Sequence, residues 1–189
     1  SHRVPAPFLV VATQNPIESE GVYPLPDAQR DRFLMKLLVG LPSASEELEI
    51  VRRMGVRPPK AETVLSLADL VRLQRAAAEG TFVDVSVMEY AVDLVLATRD
   101  PERCGRGDLA PLLDHGASPR ASLGLVAAGR ALALMRRRSW VLPQDIFDVA
   151  PDVLRHRVVL SYEALAQGVD ADGVLAQILA TVVAPRISP

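Results

Sequence analysis

Ser118-Pro119-Arg120-Ala121-Ser122-Leu123-Gly124-Leu125-Val126-Ala127-Ala128-Gly129-Arg130-Ala131-Leu132-Ala133-Leu134-Met135 is the stretch that decides the fold. Serine is a strong helix N-cap, because its hydroxyl accepts a free N–H of the first turn. Proline suits the first helical position, where its missing donor costs nothing. From Ser118 to about Arg138 the run contains no further proline, and Leu123, Leu125, Val126, Leu132, Leu134 and Met135 spread over every face. A helix that is apolar almost all round is surrounded by other helices. The stretch therefore predicts the central helix of a bundle.

Its neighbours carry helix signals too. Ser43 with Glu46, Ser66 with Asp69, and Ser86 with Glu89 each place an acid three residues after a serine, the capping-box spacing or its aspartate variant. Gly55 and Gly80 stand where the first two of these helices should stop. The third would bury Met88, Val92 and Val95 on one face. A further helix is expected from Pro143 through Ile146, Val149 and Leu154, and a last one over Asp172 to Val183. Between them Arg99 to Gly116 reads as a loop, broken by Gly105, Gly107 and Pro111, with room for a helical turn at Leu109 to Leu113.

The first 40 residues differ in style. Phe8-Leu9-Val10-Val11-Ala12-Thr13 is a continuous apolar, partly β-branched run, the pattern of a strand buried on both faces. Asn15-Pro16 ends it in a turn, Gly21, Pro24 and Pro26 hold an irregular loop, and Asp27 to Lys36 allows a short helix before a second apolar segment, Leu37 to Val39. Two such strands cannot cover their own faces and edges. The expectation is mainly α: a partial α/β stub, then a helical domain, joined near Gly55, Pro58 and Pro59.

Composition removes several functions. Among 189 residues, 21 Lys and Arg against 23 Asp and Glu give a net charge of −2, and only 4% are aromatic, which argues against a nucleic-acid surface. A lone cysteine, Cys104, makes no internal disulfide. No apolar run reaches the ~18 residues of a membrane span, and no signal-peptide pattern opens the chain, so a cytoplasmic location is expected. His2, His115, His156 and Cys104 show no metal-ligand spacing, so no protein-ligated metal is expected. Arg136-Arg137-Arg138 reads as the cationic last turn of a helix. Lys36 and Lys60 are the only lysines, and neither lies in the Gly-Lys-Ser/Thr setting of a phosphate-binding loop.

Three features remain as candidate sites. Asn15 ends the apolar strand, where an amide either begins the turn before Pro16 or orients a water or phosphate oxygen. Arg32, in Asp31-Arg32-Phe33, is either a solvated arginine or a planar fork able to stabilise phosphoryl charge from a neighbouring subunit. Arg120 falls in the first turn of the central helix. A cation there costs about 0.3–1 kcal/mol unless an anion shares the site, and free N–H groups beside a guanidinium make a phosphate receptor.

Taken together, Pro7 to Phe33, Gly116-Ala117-Ser118-Pro119-Arg120-Ala121 and Val153-Leu154-Arg155-His156-Arg157 resemble the MoxR family of AAA+ ATPases, in order and over nearly the whole chain. The resemblance implies that residues 1–57 are the C-terminal part of an AAA+ α/β core and residues 58–189 the helical lid. It implies that Asn15 is the sensor-1 residue, Arg32 the arginine finger and Arg120 the sensor-2 arginine. ATP and Mg2+ are the cofactors it implies for the full-length protein, in a homo-oligomeric, expectedly hexameric, ring. A partner with a von Willebrand factor A domain and chaperone-like remodelling of client proteins complete the implied function. The Walker A and B elements lie outside this sequence, so the chain alone is expected to be inactive. Arg30 stands where the family has an apolar residue. The alternative reading is a helical protein-interaction module without catalysis.

Overall fold

The computed structural model describes residue 4, residues 6–14 and residues 25–186. Among these, eight helices are formed: α1 (Asp27–Arg30), α2 (Ala44–Met54), α3 (Leu67–Glu79), α4 (Val85–Arg99), α5 (Pro119–Met135), α6 (Pro143–Leu154), α7 (Tyr162–Ala166) and α8 (Ala171–Thr181). Two 3₁₀ turns, Pro101–Cys104 and Gly107–Leu112, follow α4. They lead into β1 (Leu113–His115), which pairs antiparallel with β2 (Val159–Leu160) across an irregular register. The chain is mainly α, as the helix signals require.

The caps form where side-chain chemistry asks for them. Ser43 and Glu46 complete a reciprocal capping box on α2, and Ser66 and Asp69 do the same on α3. Gly55 and Gly80 close these helices, their N–H groups donating to the carbonyls of Val51 and Ala76. The third start differs from expectation. Asp84, not Ser86, caps α4, its carboxylate accepting from the Ser86 N–H at 2.9 Å. The buried face of α4 shifts accordingly to Val87, Ala91, Leu94, Val95 and Thr98, leaving Met88 and Val92 outside.

Helix α5 lies against α3, α4 and α6 and is the central helix. Its buried face is built from small residues, Ala121, Gly124, Leu125, Ala128, Gly129 and Ala133, while Leu123 and Met135 point to solvent. A Cβ on Gly129 would sit 2.7 Å from Ile146 Cδ1, so α6 approaches α5 closely there and a larger residue would require the Ile146 side chain to shift. Leu94, Leu125, Ile146, Leu154 and Leu175 fill the main core. The stretch expected as a loop after α4 folds over one end of the bundle. Leu109 packs there with Ala97, Val174 and Ile178 in a second, smaller core.

The expected strand at 8–13 is not paired with any described residue. Phe8 is 68% and Leu9 82% exposed, and Leu37, Leu38 and Val39 are exposed as well. A strand is stabilised by neighbours that accept and donate its ladder bonds, and no other strand lies beside this run among the described residues. The short helix expected over Asp27–Lys36 shrinks to the single turn α1.

The arginine run after α5 is partly structural. The Asp145 carboxylate is completely buried and accepts from Arg136 Nη1 (2.8 Å), Arg138 Nη1 and Nη2 (2.7 and 2.6 Å) and the Leu142 N–H (2.8 Å). Burial alone would raise its pKa, but Arg138, the Leu142 N–H and Arg136 outweigh burial and hold it below the usual carboxylate range. Removing the carboxylate leaves the largely buried Arg138 with the Trp140 carbonyl as its remaining acceptor among the described residues. Asp145→Ala is therefore expected to cost about 3–5 kcal/mol in urea unfolding. Arg136→Ala, which strips a half-exposed partner and leaves Arg138 in place, should cost less than about 1 kcal/mol. Equal losses from the two variants would contradict this account.

Candidate functional site

The end of α6, the start of α5 and the turn after α1 meet at one place. Three consecutive side chains beyond the last turn of α6 reach back to residues 31–36. Arg155 Nη1 donates to the Lys36 carbonyl at 2.7 Å, and the Lys36 N–H donates to the Asp152 carbonyl at 2.8 Å. His156 Nε2 donates to the Phe33 carbonyl at 3.0 Å, which fixes its tautomer. Arg157, whose side chain is 3% exposed, donates through Nη2 to the carbonyls of Phe33 (2.6 Å) and Asp31 (3.3 Å). Its Nη1 donates to the Leu34 carbonyl at 3.1 Å and to that of Val153, and its Nε to Asp31 Oδ1 at 3.1 Å.

Asp31 is the hub of the cluster. Besides Arg157, its oxygens accept from Ser118 Oγ (2.9 Å to each) and from Arg120 Nη1 at 2.8 Å. Burial pushes its pKa up, but Arg120, Ser118 and Arg157 together hold it below the usual range, so it is anionic at neutral pH. The Ser118 hydroxyl works in both directions. It donates to Asp31 and, as the α5 N-cap, accepts from the Arg120 N–H at 3.2 Å. The anion that a cation in the first turn of α5 calls for is thus Asp31.

Gly116 and Ala117 deliver Ser118 to that position. The Ala117 N–H donates to Thr98 Oγ1 at 2.9 Å, and Arg99 Nε donates to the Ala117 carbonyl at 2.6 Å, locking the loop onto the end of α4. A Cβ on Gly116 would overlap the Thr98 carbonyl, so the two backbones are in direct contact and only glycine fits.

Of the three residues singled out in the sequence, Arg32 and Arg120 lie on one cluster, and Asn15 falls outside the described residues. Arg32 sits between the two clasped residues Asp31 and Phe33. Its side chain is exposed, with no hydrogen bond or ion pair among the described residues. Arg120 is 56% exposed and spends one nitrogen on Asp31, and its other side-chain donors meet no acceptor among the described residues. This fits a phosphate contact. Among the described residues no group of His, Cys, Asp and Glu could hold a metal ion, so they offer no ligand set for Mg2+. Sequence reading alone did not single out Asp31, Ser118, His156 or Arg157 as a cluster. Ser118 is legible in the sequence as a helix cap and Arg155-His156-Arg157 as part of the family resemblance, but no spacing joins them to Asp31.

The bundle that carries this cluster matches the lid of AAA proteins. The AAA lid domain family matches residues 108–187, and the ATPase family associated with various cellular activities (AAA) matches residues 1–35. The chain is 56% identical over 185 residues to chaperone MoxR1 of Mycobacterium tuberculosis, covering 98% of this chain and 49% of that protein. It is 40% identical over 181 residues to the uncharacterized protein YeaC of Bacillus subtilis, covering 95% of this chain and 53% of the relative. A crystal structure of a protein assigned as an ATPase from Cytophaga hutchinsonii superposes with a TM-score of 0.91 at 37% identity, covering 98% of this chain and 56% of that one. The chain belongs to the MoxR family of AAA+ ATPases. It spans about half the length of the curated relatives it matches. No helix among the described residues is long and apolar enough to cross a membrane.

His156 provides a pH test of the clasp. Burial, opposed by its bond to the Phe33 carbonyl, lowers its pKa below the ordinary 6.5. The folded state then binds that proton less readily than the unfolded chain, so stability falls as pH drops below about 6.5 and levels off below the folded pKa. His156→Gln keeps an N–H for the Phe33 carbonyl and has nothing to titrate. Chemical unfolding between pH 4.5 and 7.5 should show a smaller acid loss in the variant than in the wild type. Parallel curves would remove His156 from the acid response.

Proposed function

We propose that this chain is the finger-bearing end of the α/β core (residues 1–57) and the lid (residues 58–189) of a MoxR-type ATPase that couples ATP hydrolysis to chaperone-like remodelling of client proteins. The observation that carries the reading is the Asp31 cluster. It fastens Arg120, at the start of the lid's central helix, to the segment that presents Arg32. In this reading Arg120 acts as sensor 2, its free guanidinium donors touching the terminal phosphate of the nucleotide held by its own subunit. Arg32 acts as the arginine finger, its unengaged side chain completing the site of the next subunit in a ring, expectedly a hexamer. Asn15 is assigned the sensor-1 role of placing the attacking water. Mg2+ accompanies ATP and neutralises phosphate charge when bound, held by residues outside this chain.

Both arginines then contribute at the moment charge develops on the transferred phosphoryl group, where preorganised donors have their largest effect. The chain alone, without the phosphate-binding loop and acidic pair of the full-length protein, is proposed to be inactive. A von Willebrand factor A domain protein is the proposed partner, and the cytoplasm the proposed location. The relative from Mycobacterium tuberculosis bears the name chaperone, which supports the remodelling role.

The test is ATP turnover by the full-length protein. Arg32→Ala should lower turnover by about a thousandfold or more, with nucleotide still bound. Arg120→Ala should weaken nucleotide binding and turnover together. Turnover insensitive to both substitutions would overturn the reading in favour of a non-catalytic interaction module.

A further inference from the structure

The guanidinium of Arg157 is saturated: each of its five N–H groups has an acceptor, and four of the five acceptors belong to residues 31–34. Those residues follow a single helical turn, belong to no strand among the described residues, and are tied back to that turn by three backbone bonds, Asp31 N–H to the Asp27 carbonyl at 2.9 Å, Arg32 N–H to the Gln29 carbonyl at 3.2 Å and Phe33 N–H to the Arg30 carbonyl at 3.1 Å. The carbonyls that Arg157 grips, those of Asp31, Phe33 and Leu34, flank Arg32 on both sides. The Asp31 carbonyl lies in the peptide plane that enters Arg32, and the Phe33 and Leu34 carbonyls lie in the two planes beyond Phe33, while the plane that leaves Arg32 is held by the Phe33 N–H donating to the Arg30 carbonyl. The clamp thus fixes the chain just before and just after Arg32, and with it the direction of its Cα–Cβ bond.

Burying a guanidinium beside one shared carboxylate carries a desolvation cost, offset here by the carbonyls it satisfies, and buried ion pairs are weak sources of stability. What the planar fork supplies is several acceptor directions defined at once, which neither an apolar side chain nor the point charge of lysine can do.

We infer that Arg157 is a positioning residue for the arginine finger: it clamps residues 31–34 to the end of α6 so that Arg32 leaves the surface in one direction, toward a neighbouring subunit. The inference rests on the finger role proposed for Arg32. Arg157 touches no substrate and acts only through the backbone of the finger segment. A displacement of about 1 Å at a catalytic group suffices to lose about a hundredfold in rate. A loosened clamp should therefore be felt at the neighbour's site, through Arg32.

Mixed rings of the full-length protein separate these effects. Subunits with Arg32→Ala keep an intact nucleotide site but offer no finger. Donor subunits with a substituted phosphate-loop lysine cannot hydrolyse ATP but offer one. Mixing the two should restore turnover at the Arg32→Ala sites, and ring incorporation is followed by mass photometry. Adding Arg157→Lys to the donor should cut that rescue by about tenfold or more, with incorporation unchanged. Arg157→Gln, which has no buried charge to compensate and keeps one amide donor, should do the same. Arg155→Lys in the donor is the control, since Arg155 binds Lys36, Asp152 and Asp172 on the same turn but not the finger segment. It should leave rescue within about twofold.

Undiminished rescue by the Arg157 donors would overturn the inference. So would equal loss with Arg155→Lys, or failure of both Arg157 variants to enter rings, each of which marks a merely structural role. If the unaltered donor fails to rescue, the finger assignment of Arg32 itself is wrong, and the inference falls with it.

Discussion

The close antiparallel contact of α5 with α6 is the constraint on which the rest depends. Gly129 faces Ile146 and Gly124 faces Val153, so the two helices run past one another in a register kept by residues without side chains. Continued toward the start of α5 and the end of α6, that register sets Ser118 near Arg157. The glycines keep the approach close, since a methyl group at either would require the Ile146 or Val153 side chain to shift. The core thus aligns two helix ends that combine buried apolar residues, Ala117, Ala121, Val153 and Leu154, with the polar cluster beside them.

At those ends the electrostatics are economical. One carboxylate, Asp31, answers two guanidinium groups and a hydroxyl, and the excess positive charge is met by backbone carbonyls that lack helical or sheet partners. Orphaned carbonyls and a buried cation are each unfavourable alone, and their pairing relieves both. Because Ser118 and Arg157 also satisfy Asp31, the carboxylate keeps hydrogen bonds whichever way Arg120 points. The MoxR-family lid thus grips the preceding segment through polar contacts, beside a core that is otherwise apolar.

What could be read in the sequence was local. The capping boxes at Ser43 and Ser66, the glycine stops at 55 and 80, and the Ser118-Pro119 start depend on neighbours within four residues, and each formed as its chemistry requires. Ser86 misled because Asp84, two residues earlier, caps as well and begins the helix sooner. Leu123 and Met135 misled because apolarity all round α5 concealed that packing selects its small residues. Phe8 to Thr13 has strand chemistry but no partner strand among the described residues, and pairing is not a local property. The cluster around Asp31 joins residues about 90 and 125 positions apart in sequence, with no spacing rule to announce it. Position and chemistry left Arg32 and Arg120 as candidates and the family resemblance gave them roles, but neither gave a reason for their being held together.

Helix α2 buries none of its residues and is held by its own caps and ladder, although isolated helices of about that length are marginal in water. Within this chain the covalent route from Val39 to Ser66 is therefore an exposed strap with no buried residue of its own. The non-covalent route through Asp31 and Arg157 is short, multiply bonded and stiff. Torque applied to the lid should pass into the neighbouring segment chiefly across that clasp, with the peptide chain in parallel serving as slack.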